Sequence, residues 1–437
     1  MLWMLKMEPL RHRPFRRLWL GLGMFHLGFK IMHVALPWYV LQFTGSGVST
    51  GFIFLCLLLP GIVTGPLLGL LLDRFQPRVI IMLDNLMLAL CMGSIPLLAA
   101  LGCLHLWYIY LIAFLFGALT PATETGMRIL LPHLVAEAEL ENAYSWLQMN
   151  VPLAALVGPL LGVSALAGPG SSWVLIPGIL SFLMMALLSW LLPSLKRQPV
   201  PLKQILYKYW LGFGPLMRLK EARWLTFFTL GLYFLFGPFE LALPFYCDKE
   251  LHTGATGYAF LLISMGIGTL FALPFTDYLL TRMKPGTIQM LVAISWGTFT
   301  ALLLPMISQP IAIALLILAG AGWAPFKPVQ TAFLQRLIPA ELQGQVFGTY
   351  WALAAAAKPL GAVASSFLLG PLSSSWLLTI SGLGCVLFGI GGLLSPTVRR
   401  MQRQVLETQS APGAAISAPS YGTLHRALPS ASHKPEK

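Results

Sequence analysis

Apolar residues run through this chain in long blocks, each closed by Gly, Pro, Ser or a charged position. The blocks fall at 18–41, 50–72, 79–101, 106–126, 143–167, 172–192, 223–246, 256–278, 287–307, 310–329, 345–369 and 374–395. About 20 residues at 1.5 Å each cross roughly 30 Å of hydrocarbon, so every block is long enough to span a bilayer as a helix. Barrel strands would alternate apolar and polar positions, whereas these blocks are continuous. The pattern predicts an all-α membrane protein with twelve transmembrane helices.

Composition agrees. The chain is 57% hydrophobic and 10% charged, against about 45–50% and 25% in an average soluble domain. Too little charge is present to cover a water-facing surface. The net charge of +13 raises nucleic-acid binding, but the placement of the charges opposes it. With the N-terminus set in the cytoplasm, the inner segments carry Arg11, Arg13, Arg16, Arg17, Arg74, Arg78, Arg128, Arg282, Lys284, Arg336, Arg399, Arg400 and Arg403. Lys249 is the one basic residue of the outer loops. This is the positive-inside distribution of a plasma-membrane protein with both termini cytoplasmic, its basic side meeting anionic lipid.

The longest internal connection, 193–222, mixes Lys196, Arg197, Lys203, Lys208, Arg218 and Lys220 with Tyr207, Tyr209 and Trp210. It reads equally as a helix on the membrane surface or a solvated linker. Residues 1–17 form a basic N-terminus without a cleavage site for a signal peptide. Residues 396–437 form a tail rich in Ser, Ala and Pro and are expected to be disordered. Cys56, Cys91, Cys103, Cys247 and Cys385 have no paired or metal-binding spacing. No disulfide, metal or cofactor is expected.

The chain also repeats itself at an offset of about 200 residues. Gly69-Leu-Leu-Leu-Asp73-Arg74 closes the second block, and Phe275-Thr276-Asp277 followed by Arg282 closes the eighth. Gly158-Pro159-Leu160-Leu161-Gly162 in the fifth block answers Lys358-Pro359-Leu360-Gly361 in the eleventh. Two six-helix bundles, 18–192 and 223–395, are therefore expected, as in transporters that rock two halves about a central site.

Gly69-x-x-x-Asp73-Arg74-x-x-x-Arg78 resembles the signature between spans two and three of the major facilitator superfamily. Ala35-Leu36-Pro37-Trp38-Tyr39 through Ser46, Asp73-Arg74-Phe75 and Leu131-Pro132-x-Leu134-Val135 are similar to the branch of macrolide efflux proteins and the enterobactin exporter. The resemblance covers roughly residues 10–395. It implies that Gly69, Asp73, Arg74 and Arg78 latch the halves together on the inner side. Ala154-x-x-x-Gly158-Pro159-x-x-Gly162 is similar to the fifth-span motif of proton-coupled exporters, with Ala154 and Val163 standing where Gly is usual. Its physical use is close helix approach at small residues and a bend at Pro159.

Candidate chemistry lies inside the spans. His26, Lys30 and His33 share one helix face by their i, i+4, i+7 spacing. A cation at the bilayer centre costs about 2.5–3.5 kcal/mol on insertion scales, so this face should line a watery cavity or meet an acid. Glu240, between Pro238 and Pro244, and Lys358 are the intramembrane charges of the second half. Together with Lys30 they form the expected coupling group, where the carboxylate would take up and release a proton; structural ion pairing is the alternative. Asp84, Glu124 and Arg128 are expected to pair at the inner gate. Trp38, Trp146 and Trp351 are weaker candidates for substrate contact.

The expected activity is export of a small amphipathic compound, an antibiotic, siderophore or similar molecule, by proton-coupled alternating access. The expected partners are the small-molecule substrate, protons and membrane lipids, with the chain a monomer. A flippase for lysophospholipids is the alternative transport reading. A membrane-embedded enzyme is opposed by the lack of any Walker loop, HExxH or catalytic triad order.

Overall fold

The structure is a computed structural model that describes residues 8–164, 175–195, 213–303, 308–338 and 340–394. The described residues contain no strand, and helix fills most of each apolar block. The principal helices are α1 Arg13–Thr44, α2 Gly47–Arg74, α3 Pro77–Ala100, α4 Leu106–His133, α5 Asn150–Ser164, α6 Ile176–Trp190, α7 Lys220–Glu250, α8 Gly254–Ala272, α9 Pro285–Ala301, α10 Gln309–Gln335, α11 Ala340–Ser366 and α12 Ser374–Leu394. Among the described residues, eight helices are long and apolar enough to cross a membrane, and α6 is shorter but apolar. Much of the 193–222 connection and all of the 396–437 tail lie outside the described residues.

Local chemistry sets the turns. Gly45 ends α1 in the left-handed region, φ 61°, and its N–H bonds Leu41 O at 2.7 Å. Ser46 then caps α2 by accepting from the Ser49 N–H. Two residues thus reverse the chain, with glycine supplying the positive φ and serine the cap. Pro77 and Pro285 open α3 and α9, where a missing N–H costs nothing.

The helices pack as one pattern used twice. In the first half α1 packs on α5 and α6, α2 on α4, and α3 on α6. In the second half α7 packs on α11 and α12, α8 on α10, and α9 on α12. The repeat extends to single bonds. Thr64 Oγ1 donates from α2 to Ala118 O on α4 at 2.6 Å, and Thr269 Oγ1 donates from α8 to Gly320 O on α10 at 3.0 Å. Helix α4 also breaks before Pro121 as α10 breaks at Pro325.

The halves meet mainly where α2 packs on α11 and α5 on α8. The α2–α11 seam is shut at one end only. A Cβ on Gly51 would stand 2.7 Å from Ser366 Cβ. Gly69 lies 18 residues, or five turns, further along the same face of α2, and Gly348 lies 18 residues before Ser366 on α11. Among the described residues, a Cβ on either would meet no atom within 4 Å. At the closed end Trp38 stacks on Tyr258, centroids 6.0 Å apart, and Gln42 Nε2 donates to Asp248 Oδ1 at 3.1 Å. The two helices therefore part toward the end that bears Arg74 and Arg78.

Candidate substrate and coupling site

A lysine sits at a tight helix crossing in each half. In the first, a Cβ on Gly158 of α5 would stand 2.6 Å from Lys30 Cβ on α1. The motif-like glycine thus seats the segment carrying Lys30. In the second, Gly237 of α7 presses on the α11 backbone at Lys358 and Ala362, and Gly361 presses back on Phe234. Prolines follow these contacts at Pro159, Pro238 and Pro359, where the helix ladder is already weakened.

Glu240 lies three residues past Gly237, on the same face of α7, and forms an ion pair with Lys358. The Lys358 ammonium also stands 5.0 Å from the centre of the Phe236 ring. Their side chains keep 20% and 17% of their surface accessible, so space remains beside the pair. His33 and Lys30 reach Glu240 electrostatically from the other half. The structure thus brings Lys30, His33, Glu240 and Lys358 together. His26 belongs to the same stripe and feels Lys30, with its ring against Phe25 at 5.4 Å.

Lys327 on α10 joins this group and was not expected from the sequence. Its side chain is exposed, its ammonium lies 5.4 Å from the Trp351 ring centre, and it is within electrostatic reach of Lys30, Lys358, Glu124 and Arg128. It stands at the very end of the tenth apolar block, where a lysine reads as an interface residue. The signal available was the dipeptide Lys327-Pro328, which matches Lys358-Pro359. Glu124 and Arg128 face it from α4 as exposed side chains.

Asp84 is placed with Thr123, whose Oγ1 donates to Asp84 Oδ2 at 2.6 Å, rather than with an arginine. It lies two turns inside α3 on the face toward α4, where burial excludes the flexible loop side chains. Asn85 Nδ2 donates to the same Thr123 Oγ1 at 2.7 Å. Arg78 is held within the first half: its Nη1 donates to Leu192 O at 3.1 Å, and its guanidinium lies 5.5 Å from the Trp190 ring centre. Arg17 donates to Leu191 O at 2.8 Å. Both cap the carbonyl end of α6, the end that favours cations. Arg74 lies over Phe75 at 5.9 Å. The side chain of Asp73 lies outside the described residues, and Gly162 is described only as part of helix α5. Ala154 is buried in α5.

The tryptophans part company. Trp146 packs edge-on against Trp19, and its carbonyl accepts from Trp19 Nε1 at 3.0 Å. Trp38 is buried in the seam against Tyr258. Trp351 stands beside Lys327.

Two repeated helix bundles with charged side chains accessible between them define a membrane transporter. The profile of the Major Facilitator Superfamily matches residues 18–362. The chain belongs to that superfamily. It is 26% identical over 390 residues to the multidrug efflux pump Tap of Mycolicibacterium fortuitum, covering 86% of this chain and 93% of that protein. It is 24% identical over 421 residues to the enterobactin exporter EntS of Escherichia coli, covering 92% and 96%. Among solved structures it resembles the nucleoside transporter NupG, with a TM-score of 0.70 at 13% identity over 87% of this chain and 98% of that one. A bacterial homolog of the lysosomal transporter Spinster gives 0.65 at 12% identity over 92% and 98%. These two likenesses concern the fold.

Proposed function

We propose that the chain exports a small amphipathic compound across the plasma membrane, driven by the proton gradient, with Glu240 as the proton-carrying group. It crosses the bilayer twelve times as bundles 18–192 and 223–395, works as a monomer surrounded by lipid, and keeps both termini in the cytoplasm. The basic loops support that orientation, which makes the parted end of the α2–α11 seam the cytoplasmic one. The structure is then the inward-facing state. The relatives named as an efflux pump and an exporter support the outward direction.

One observation carries this reading: an accessible Glu240–Lys358 pair in the second half, with Lys30 of the first half in electrostatic reach. A carboxylate shared between cations of two moving bodies changes its surroundings as they rock. Protonation frees Lys358, and deprotonation restores the pair. Asp73, Arg74 and Arg78 close the cytoplasmic side in the opposite state, with Glu124, Arg128 and Lys327 meeting across the mouth. Arg78 must leave the carbonyls of α6, or act through them, for this to happen. Transport, rather than catalysis, is the work of the charged residues.

Sealed vesicles holding the protein test the proposal. An imposed pH gradient should accelerate substrate movement in wild type and leave Glu240→Gln unaffected. Undiminished coupling in that variant removes Glu240 from the mechanism. Labelling of single cysteines at Gly69 and Gly348 tests the state: both should react from the cytoplasmic side and become protected when the mouth closes.

A further inference from the structure

Among the described residues Lys30 is a charge without a counterion. Among the described residues it makes no hydrogen bond or ion pair, and Glu240, the acid within its reach, is already held by Lys358. Helix α5, pressed against it at Gly158, supplies no carboxylate: Ala155 and Leu161 stand one turn to either side. Lys327 of the other half lies within electrostatic reach, also without an ion pair among the described residues, with its ammonium over the Trp351 ring. Among the accessible charged side chains that are described in this space, Lys30, Lys327, Lys358 and Arg128 face Glu240 and Glu124. Four cations less two carboxylates leave an excess of two positive charges. A cavity of that sign attracts anions and repels cations.

We propose that the cavity binds an organic anion, its acidic group held between Lys30 of the first half and Lys327 of the second, with a flat apolar body against Trp351. This rests on the transport reading and adds the substrate class to it. A carboxylate, sulfonate or phosphate has several acceptor oxygens, so it can take charge-assisted bonds from two ammonium groups at once. It supplies the counterion that the protein does not. Because the two lysines belong to different halves, an anion held by both draws the halves together at the mouth. Occupancy then favours closure by differential binding to the closed state. Trp351, relieved of the Lys327 ammonium, offers a ring face to the rest of the molecule.

The test uses the purified full chain in detergent and three fluorescent probes: dansylglycine, its amide and dansylcadaverine. Dansylglycine should bind about a hundredfold more tightly than its amide, about tenfold for each of two charge-assisted contacts. Lys30→Gln and Lys327→Gln should each lose about tenfold for the acid while the amide keeps its affinity, which also reports an intact fold. Lys30→Arg and Lys327→Arg should restore acid binding. Competition separates the sources of the anion: displacement by lysophosphatidic acid but not by salicylate points to a lipid headgroup, and the reverse to a soluble aromatic acid. The proposal is overturned by equal binding of acid and amide, by preference for dansylcadaverine, by absence of binding, or by acid affinity indifferent to both glutamine variants. If vesicles move the amide under a pH gradient and the acid has no advantage, transport stands and the anion site falls. If nothing moves while the lysine-dependent preference persists, the anion site stands and the transport reading falls.

Discussion

The first and second halves place a lysine at the same kind of joint and then treat it differently. Lys30 lies where α1 crosses α5 at Gly158, and Lys358 where α11 crosses α7 at Gly237. Three residues past Gly237 stands Glu240, which neutralises Lys358. Three residues past Gly158 stands Leu161, which can neutralise nothing. One architecture, used twice, thus gives a closed charge pair on one side and an open cation on the other. The lesson is that symmetry of packing need not carry symmetry of chemistry. Helix crossing is fixed by small residues and steric fit, and the charge beside it is free to vary between copies.

Removing the carboxylate breaks the second half most severely. Glu240→Gln leaves Lys358 without its partner, a change that costs roughly 3–5 kcal/mol when one member of a buried pair is lost. The residual accessibility of the pair places the expected loss at the lower end. Thermal unfolding in detergent reads it, and proton-driven transport should fall at least tenfold. A double variant, Glu240→Gln with Lys358→Met, should recover most of the stability and none of the coupling. Recovery of both would show that the pair is structural.

Converting the first half into the second is the next largest change. Leu161→Glu puts an acid three residues past the Gly158 crossing, as Glu240 stands three residues past the Gly237 crossing, within reach of Lys30 by its i, i+3 relation to Gly158. The expected outcome is a folded protein whose transport falls about tenfold, because the free cation is now neutralised; a drop of that size in rate corresponds to about 1.4 kcal/mol of lost interaction. Unchanged transport would separate Lys30 from the mechanism.

The crossings themselves sharpen the comparison with a smaller effect. Gly237→Ala drives a methyl into α11 backbone, whereas Gly158→Ala meets the side-chain Cβ of Lys30. Overpacking of this kind costs about 1–3 kcal/mol. Gly237→Ala is expected at the upper end and Gly158→Ala at the lower, by melting temperature. Gly158→Ala should disturb transport out of proportion to stability, since the atom that must move belongs to Lys30. Smallest of all, Arg17→Gln should remove one bond from the α6 carbonyl end and destabilise the first half by about 0.5–1.5 kcal/mol, without effect on coupling.

Much of this was legible along the chain. The described part of each apolar block is mostly helix because its length and continuity leave a backbone in lipid no other means of satisfying its hydrogen bonds. The repeated Gly-Pro and Lys-Pro phrases marked the crossings, and the stripe of His26, Lys30 and His33 followed from helical spacing alone. Lys327 escaped notice because hydropathy placed it at the edge of a block, where lysines commonly reach for headgroups. Asp84 looked like a partner for nearby arginines, since both lie at one end of the same helices. Its side chain instead turns inward to Thr123.

The sequence by itself determined the class of protein, the helical elements, their repeat and the presence of charges too costly to face lipid. Those properties follow from local length, period and transfer energy. Tertiary structure alone decided which charges meet: that Glu240 belongs to Lys358, that Lys30 has no ion-pair partner among the described residues, that Lys327 lies within its electrostatic reach, and that the seam is shut at Gly51 and open at Gly69. Partnership between residues hundreds of positions apart depends on how helices cross and tilt, and no window of the chain contains that information.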